Sequence, residues 1–361
     1  MKKMLALLLA LSLLLCGCAG AETPPTTEAP AETVTEPTAE PTEEPTVAPT
    51  TEPAPVYTNP LTGEELDAPV DNRLFAVSIN NLVYAVPHHG VQEADIFMEM
   101  FVNGSIIRGL ALYTDPTNLP AIGSVRSTRY MFTDIALHYD AIVAHAGGSQ
   151  WVLADVAARG ADGFNIDTAD ETYYSFRHKD RIKEGFGWEH CLFANGAGLM
   201  EKAAEKGIET AQDPEKDYGL IFTEDGTPAE GETADSITVT FTSFGRKAST
   251  MAYDAELGKY VYWQYDQMMV DGDTKEPETF ENVVIMLADI RMNAKAYHEA
   301  DFVKGGEGYF ACGGKIIPIL WSCDGEDQPF RFTTVDGEPL AFGVGNSYIA
   351  IAPNGSPVEY A

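Results

Sequence analysis

The chain has 361 residues and a formal net charge of −32, from 55 acidic side chains against 23 basic ones. So acidic a chain argues against nucleic acid as a partner and against electrostatic adsorption to anionic lipid. Its 5 cysteines are too sparse for a disulfide framework, and no C-x-x-C or Cys/His ligand spacing occurs, so no metal and no cofactor is expected.

Lys2 and Lys3 precede an apolar run from Met4 to Leu15, the layout of a signal peptide over residues 1–17. The run is short of the roughly 20 residues that span a bilayer. It ends in Leu15-Cys16-Gly17-Cys18, a lipobox in which small Gly17 precedes Cys18, so Cys18 is the expected lipidation site and membrane anchor. Residues 18–56 are almost entirely Pro, Thr, Glu and Ala, without aromatics. Such a stretch cannot bury enough apolar area to offset backbone ordering, which predicts a disordered tether. Polyproline II at about 3.1 Å per residue would carry it on the order of 100 Å from the membrane. The signal carries +2 and the tether's eight glutamates −8, leaving −26 on the remainder.

The remainder predicts an α+β protein in two parts: a mixed α/β domain over 57–210 with an antiparallel hairpin, and an all-β domain over 211–361. In the first part Leu74–Asn80 reads as a buried strand and Gly90–Asp95 as a short helix. Ile96–Val102 and Ser105–Thr114 flank Asn103-Gly104, a strong hairpin signal. Thr128–Tyr139 has helical spacing, with Met131, Phe132, Ile135 and Ala136 on one face. Ala141–His145 reads as a strand, and Gln150–Arg159 as a helix closed by Gly160. Gly198–Lys206 is a second helix closed by glycine. From Ser236 onward, short strand-like runs alternate with turns such as Asp271-Gly272, Cys312-Gly313-Gly314 and Asp336-Gly337. Cys312 and Cys323 could face each other on neighbouring strands.

Several blocks carry a family resemblance. They are Asn59-Pro60-Leu61-Thr62-Gly63, Ala76–Asn81, Ala94-Asp95-Ile96 with Glu99-Met100, and Arg108–Leu112. Ile122-Gly123-Ser124-Val125-Arg126-Ser127-Thr128-Arg129, His145-Ala146-Gly147-Gly148-Ser149 and Phe176-Arg177 through Arg181 to His190 follow. The second half adds Asn282-Val283-Val284, Gly306–Gly308, Trp321 and Asp336-Gly337. Together they resemble the YerB-like family of bacterial lipoproteins, a two-part domain of unknown function. The resemblance implies the domain pair and the anchor but brings no mechanism. Glu189-His190-Cys191-Leu192-Phe193 departs from the family's His-Asn-Leu-Tyr pattern.

Arg126 and Arg129 flank Ser127 and Thr128 ahead of a helix, where unpaired backbone N–H groups and guanidinium forks both suit anions. The competing expectation pairs these arginines with Asp95, Glu99 or Asp134. His145, Gly147, Gly148 and Ser149 form a strand-to-helix turn, with Ser149 placed to cap the helix. Position 151 is Trp, so the turn is not a nucleophile elbow. These two segments are expected to line one pocket. Glu99 and Asp95, four apart, are expected on one face with Arg108 opposite, as an ion pair or an acid–base set. His138, His178 and His190 read as structural. The function this supports is a membrane-anchored extracytoplasmic binding module for an anionic ligand, a cell-wall component or an envelope protein. The alternative is an envelope hydrolase acting on a cell-wall or glycan substrate, using His145, Glu99 and the arginines.

Overall fold

A computed structural model describes residues 56–361. The signal peptide, Cys18 and the tether to residue 55 lie outside the described residues.

Phe75–Ile79 (β1) is buried at every position. Both faces are covered, which is why it reads as a continuous apolar run. Ile96–Asn103 (β2) and Ile106–Tyr113 (β3) form the expected hairpin. Its loop is Gly104-Ser105, with Gly104 at φ +53°, while Asn103 stays out of the positive-φ region and pairs with Ile106. The helix expected over Gly90–Asp95 is instead a turn, closed by the Ala94 N–H to the Val91 carbonyl at 3.1 Å. Asp95 is drawn elsewhere, since its carboxylate accepts from Asn59 Nδ2 at 2.7 Å and from the Thr114 N–H.

Tyr130–Tyr139 (α1) buries Met131, Phe132, Ile135 and Ala136, as its spacing predicts. Ile142–His145 (β4) runs parallel to β1. Gln150–Arg159 (α2) starts at the Ser149 cap, whose side chain accepts from the Val152 N–H, and stops at Gly160 with φ +68°. Gly163–Asn165 (β5) returns parallel to β4. Lys179–Glu184 (α3) and Gly196–Glu205 (α4) complete the helices, and everything after them is strand, turn or a single 3-10 turn. The fold is therefore α+β, with helices confined to the first part.

The two parts share one eleven-stranded sheet. Its order runs β5-β4-β1-β3-β2 and then continues into Ser347–Pro353, Asn282–Ala288, Gly306–Cys312, Lys315–Cys323 and Glu232–Thr233, and the eleventh strand, Phe330–Thr334, also pairs with Lys315–Cys323. The seam is the parallel pair between Ser347–Pro353 and β2, in register from Ser347 opposite Ile96 to Ile351 opposite Met100. The sheet thus runs across the expected division at 210.

One face of the sheet, carrying Ala76, Met98, Met100 and Leu110, packs with Met131, Phe132 and Ile135 of α1. The other, carrying Phe75, Phe97 and Phe101, packs against a six-stranded second sheet through Val239, Phe241, Tyr260 and Tyr262. Each such buried aromatic contributes about 1.5–3 kcal/mol. Cys312 and Cys323 do not face each other. Cys312 pairs with Lys315 beside the hairpin turn, Cys323 ends the returning strand, and both are buried free thiols.

Candidate functional site

β1 and β4 are parallel neighbours, so the loops after them emerge at the same end of the sheet. There the Arg126–Arg129 loop and the His145–Ser149 turn are joined by backbone bonds. The Ala146 N–H donates to the Arg126 carbonyl at 2.8 Å, and the Thr128 N–H donates to the Gly147 carbonyl at 3.0 Å. The Arg126 N–H donates in turn to the Ser78 carbonyl at the end of β1, at 2.8 Å.

Three arginines gather at this loop. Arg108, reaching from β3, donates to the Ser127 carbonyl. Arg129 donates to the same carbonyl at 3.1 Å and to that of Thr128 at 2.7 Å, and lies 5.6 Å over the Tyr297 ring. These two clamp the loop from behind. Arg126 points forward, donating to the Glu189 carbonyl at 3.3 Å, and its buried Nε has no partner. Among the described residues none of the three has a carboxylate within 4 Å, whereas Arg73, Arg159, Arg177, Arg291 and Arg331 all do. The expected ion pairs are absent because the carboxylates are taken: Asp134 binds Arg159, and Glu99 binds Lys247. Burial, reinforced by Arg126, lowers Arg129 from its usual value to about 10; burial, reinforced by Arg129 and Arg126, holds Arg108 well below its own.

Arg126 and Ser127 line an open cavity of about 510 Å³ with Ala146, Thr168, Arg177 and Trp188. Arg177 is held over the Trp188 ring at 4.7 Å and pairs with Asp167. Asp167 and Glu189 also border the cavity, with side chains 43% and 57% exposed. Four guanidiniums thus stand at or behind a wall that carries two carboxylates, of which Asp167 already pairs with Arg177 and Glu189 is solvent-screened.

Of the two segments, Arg126, Ser127 and Ala146 line this cavity. Arg129 and Arg108 sit behind the loop, and Gly147, Gly148 and Ser149 lie beside the cavity and shape the turn. Gly147 takes φ +68°. An added Cβ on Gly148 would stand 3.1 Å from the Leu153 side chain and 3.3 Å from the Thr128 methyl, so the turn packs closely on both α2 and the arginine loop. His145 is buried, with Nδ1 2.8 Å from the Gly147 carbonyl, and burial lowers it to about 4. It is a neutral ring that braces the turn.

Glu99 belongs to a different place. Gly109, not Arg108, lies opposite it, so Glu99 and Arg108 point to opposite faces of the sheet. Asp95 precedes the strand and holds the Thr114 and Asn59 groups, so the expected Asp95–Glu99 face does not form. The hydrolase set of His145, Glu99 and arginines consequently has no common site. Glu99 is fully buried and receives Lys247 Nζ, Asn81 Nδ2 at 2.7 Å, Ser249 Oγ at 2.6 Å and Tyr348 Oη at 2.5 Å. Asn81 Oδ1 extends the network to Gln264 Nε2 at 2.7 Å and His88 Nε2 at 3.1 Å, and His88 Nδ1 lies 3.1 Å from Glu278. The sequence reading missed this network. Its one local signal was a carboxylate between Phe97 and Phe101 on a strand face otherwise built for the core.

Fold and site together define an α+β protein on one large mixed sheet, with an arginine-rich cavity at the end of its first part. The models for the N-terminal and C-terminal domains of the protein of unknown function DUF3048 match residues 61–209 and 237–349, and the chain belongs to that family. It is 26% identical over 302 residues to YerB of Bacillus subtilis (strain 168), a protein named as a lipoprotein, over 82% of this chain and 86% of that one. It also resembles the crystal structure of the YerB protein from Bacillus subtilis, with a TM-score of 0.71 at 24% identity over 84% of this chain and 99% of that one. The resemblance read from the sequence is borne out, and the structural likeness carries the fold.

Proposed function

We propose that this is a lipid-anchored protein on the extracytoplasmic face of the cell membrane, and that its first part binds an anionic ligand at Arg126 and Arg177. The anchor is supported by the Leu15-Cys16-Gly17-Cys18 lipobox and by the lipoprotein name of the Bacillus relative. Among the described residues no helix is long and apolar enough to cross a membrane. Acyl chains contribute about 0.8 kcal/mol per buried methylene, so two or three of them hold a protein on a bilayer. Cys18→Ala is expected to move the protein from the membrane to the soluble fraction, or to leave the unprocessed precursor. Normal maturation with full membrane retention of the variant, in a fractionation blot, would refute the anchor.

The observation that carries the binding proposal is the unpaired arginine set in a chain so rich in carboxylates. Three guanidiniums held close together repel each other, and an anion in the cavity relieves that repulsion while accepting bidentate bonds. Phosphate or carboxylate groups of a cell-wall polymer, or of an envelope protein, have the matching chemistry. Equilibrium binding of polyglycerol phosphate, of a muropeptide and of inorganic pyrophosphate tests this. Arg126→Ala should weaken the best of these at least about tenfold, the loss of one charge-assisted contact. Arg126 is partly exposed and carries no salt bridge, so its melting point should stay near wild type. Undiminished binding by the Arg126→Ala, Arg177→Ala double variant would sink the proposal.

A further inference from the structure

We infer that His89, His178 and Asp273 form a binding site for one divalent transition-metal ion of the zinc type. One ligand atom from each, lying within 4.8 Å of the other two, supplies two imidazoles and a carboxylate. On a tetrahedral ion with bonds of about 2.1 Å, donor atoms stand about 3.4 Å apart. Small side-chain rotations therefore bring the three onto one ion and leave a position for water or substrate.

The arrangement is built on backbone. Asp271 accepts from the Gly90 N–H at 2.9 Å and from the Asp273 and Thr274 N–H groups at 2.8 and 2.9 Å, tying the Asp273 loop to the segment that carries His89. The Gly272 N–H donates to the His88 carbonyl at 2.6 Å. The His89 ring lies flat on Gly272, where an added Cβ would stand 2.1 Å from Nε2, so Nδ1 is the nitrogen turned to Asp273. His89 Nδ1 is 3.0 Å from Asp273 Oδ2 on a side chain only 5% exposed, an ion-pair contact whose angles fall short of a well-formed hydrogen bond. A ring nitrogen and a carboxylate oxygen that face each other in this way can both turn onto one ion. His178 Nδ1 caps α3 through the Arg181 N–H at 3.4 Å, which leaves Nε2 as its free donor atom. Phe193 holds both rings, with centroids 4.9 and 5.0 Å from those of His89 and His178. The nearby Arg181 has its donors committed to the carbonyls of Ala85 and His190, at 2.8 and 3.1 Å.

The bland alternative is a His89–Asp273 ion pair with His178 as a helix cap. It makes no use of a metal, so titration separates the two. The full chain is stripped with chelator and dialysed, then titrated with ZnCl2 by calorimetry and with CoCl2 by visible absorption. The expected result is one equivalent of Zn2+ bound at micromolar or lower concentration, intense Co2+ bands of low coordination number, and a melting point that rises with added Zn2+. His178→Ala and Asp273→Asn should each weaken Zn2+ at least about tenfold, the scale on which even outer-shell partners act. Asp273 is more exposed than His89, so metal-free Asp273→Asn should melt near the metal-free wild type, whereas His178→Ala also loses the α3 cap and should melt somewhat lower. No Zn2+ uptake at micromolar concentration overturns the site, and so does wild-type affinity in both variants. The binding is independent of Arg126, so Arg126→Ala should take up Zn2+ normally.

Discussion

Glu99→Gln is expected to lower unfolding free energy by about 3–5 kcal/mol, because it breaks a buried pair and removes the counter-charge from Lys247, which burial already holds well below its usual value. Glu99 has no exposed surface and the Lys247 side chain is 8% exposed, so water cannot take over the lost interaction. Four donors from three segments meet on this one carboxylate, so the loss is shared by the first part's β2, by Asn81 beyond β1, by the strand that carries both Lys247 and Ser249, and by the strand of Tyr348. Lys247→Met should be costly as well. The double variant Glu99→Gln, Lys247→Met should recover much of the loss, since removing both charges of a buried pair can be nearly neutral. Urea midpoints of the four proteins at pH 7 close the cycle. Additive losses would mean that the two groups do not interact, and a Glu99→Gln midpoint equal to wild type would mean that the carboxylate is not buried as described.

The second large effect is acid sensitivity. Burial lowers His138 and His145 each to about 4 from 6.5. His138 is enclosed by the Phe302 and Phe330 rings and by the Cys323 thiol, 3.6 Å from Nδ1. Below pH 6.5 the unfolded chain protonates these imidazoles, and the folded chain does so only near pH 4. Stability therefore falls as pH drops through that window, by on the order of 3 kcal/mol per histidine. Asp134 works in the opposite direction. Burial raises it to about 6, so the folded chain takes up a proton between pH 6 and 4 that the unfolded carboxyl refuses, and this offsets about one histidine. Unfolding free energies at pH 7.0, 5.5 and 4.5 should decline for wild type, and the decline should be shallower by about one proton in His138→Gln. A wild-type-minus-variant difference that stays constant with pH would show that His138 titrates normally.

The two buried groups behind these predictions differ in how far the sequence announced them. His138 was legible as a structural ring, because it lies one turn from Asp134 and Ile135 and two turns from Met131 on an amphipathic helix. Glu99 was legible as a buried-strand residue, but its partner was assigned wrongly. Arg108 is adjacent through the hairpin, while Lys247 is far along the chain. Strand alternation decides between them, and a one-residue register difference moves a side chain to the other face.

Local signals were sufficient where the determinant is local. Ser149 and Gly160 bound α2 because a hydroxyl satisfies a free N–H at one end and a glycine accepts positive φ at the other. Gly104 turned the hairpin for the same backbone reason, and the −26 charge made the clustered arginines conspicuous before any fold was known. The sequence by itself therefore determined the anchor motif, the α+β texture, most elements and the neighbourhood of Arg126 and His145. Tertiary structure alone decided that both parts share one sheet, that Arg126 faces a cavity while Arg108 and Arg129 stand behind it, and that His89, His178 and Asp273 meet. Each of those outcomes depends on parallel pairings and loop crossings between segments tens to hundreds of residues apart, whose register no local periodicity encodes.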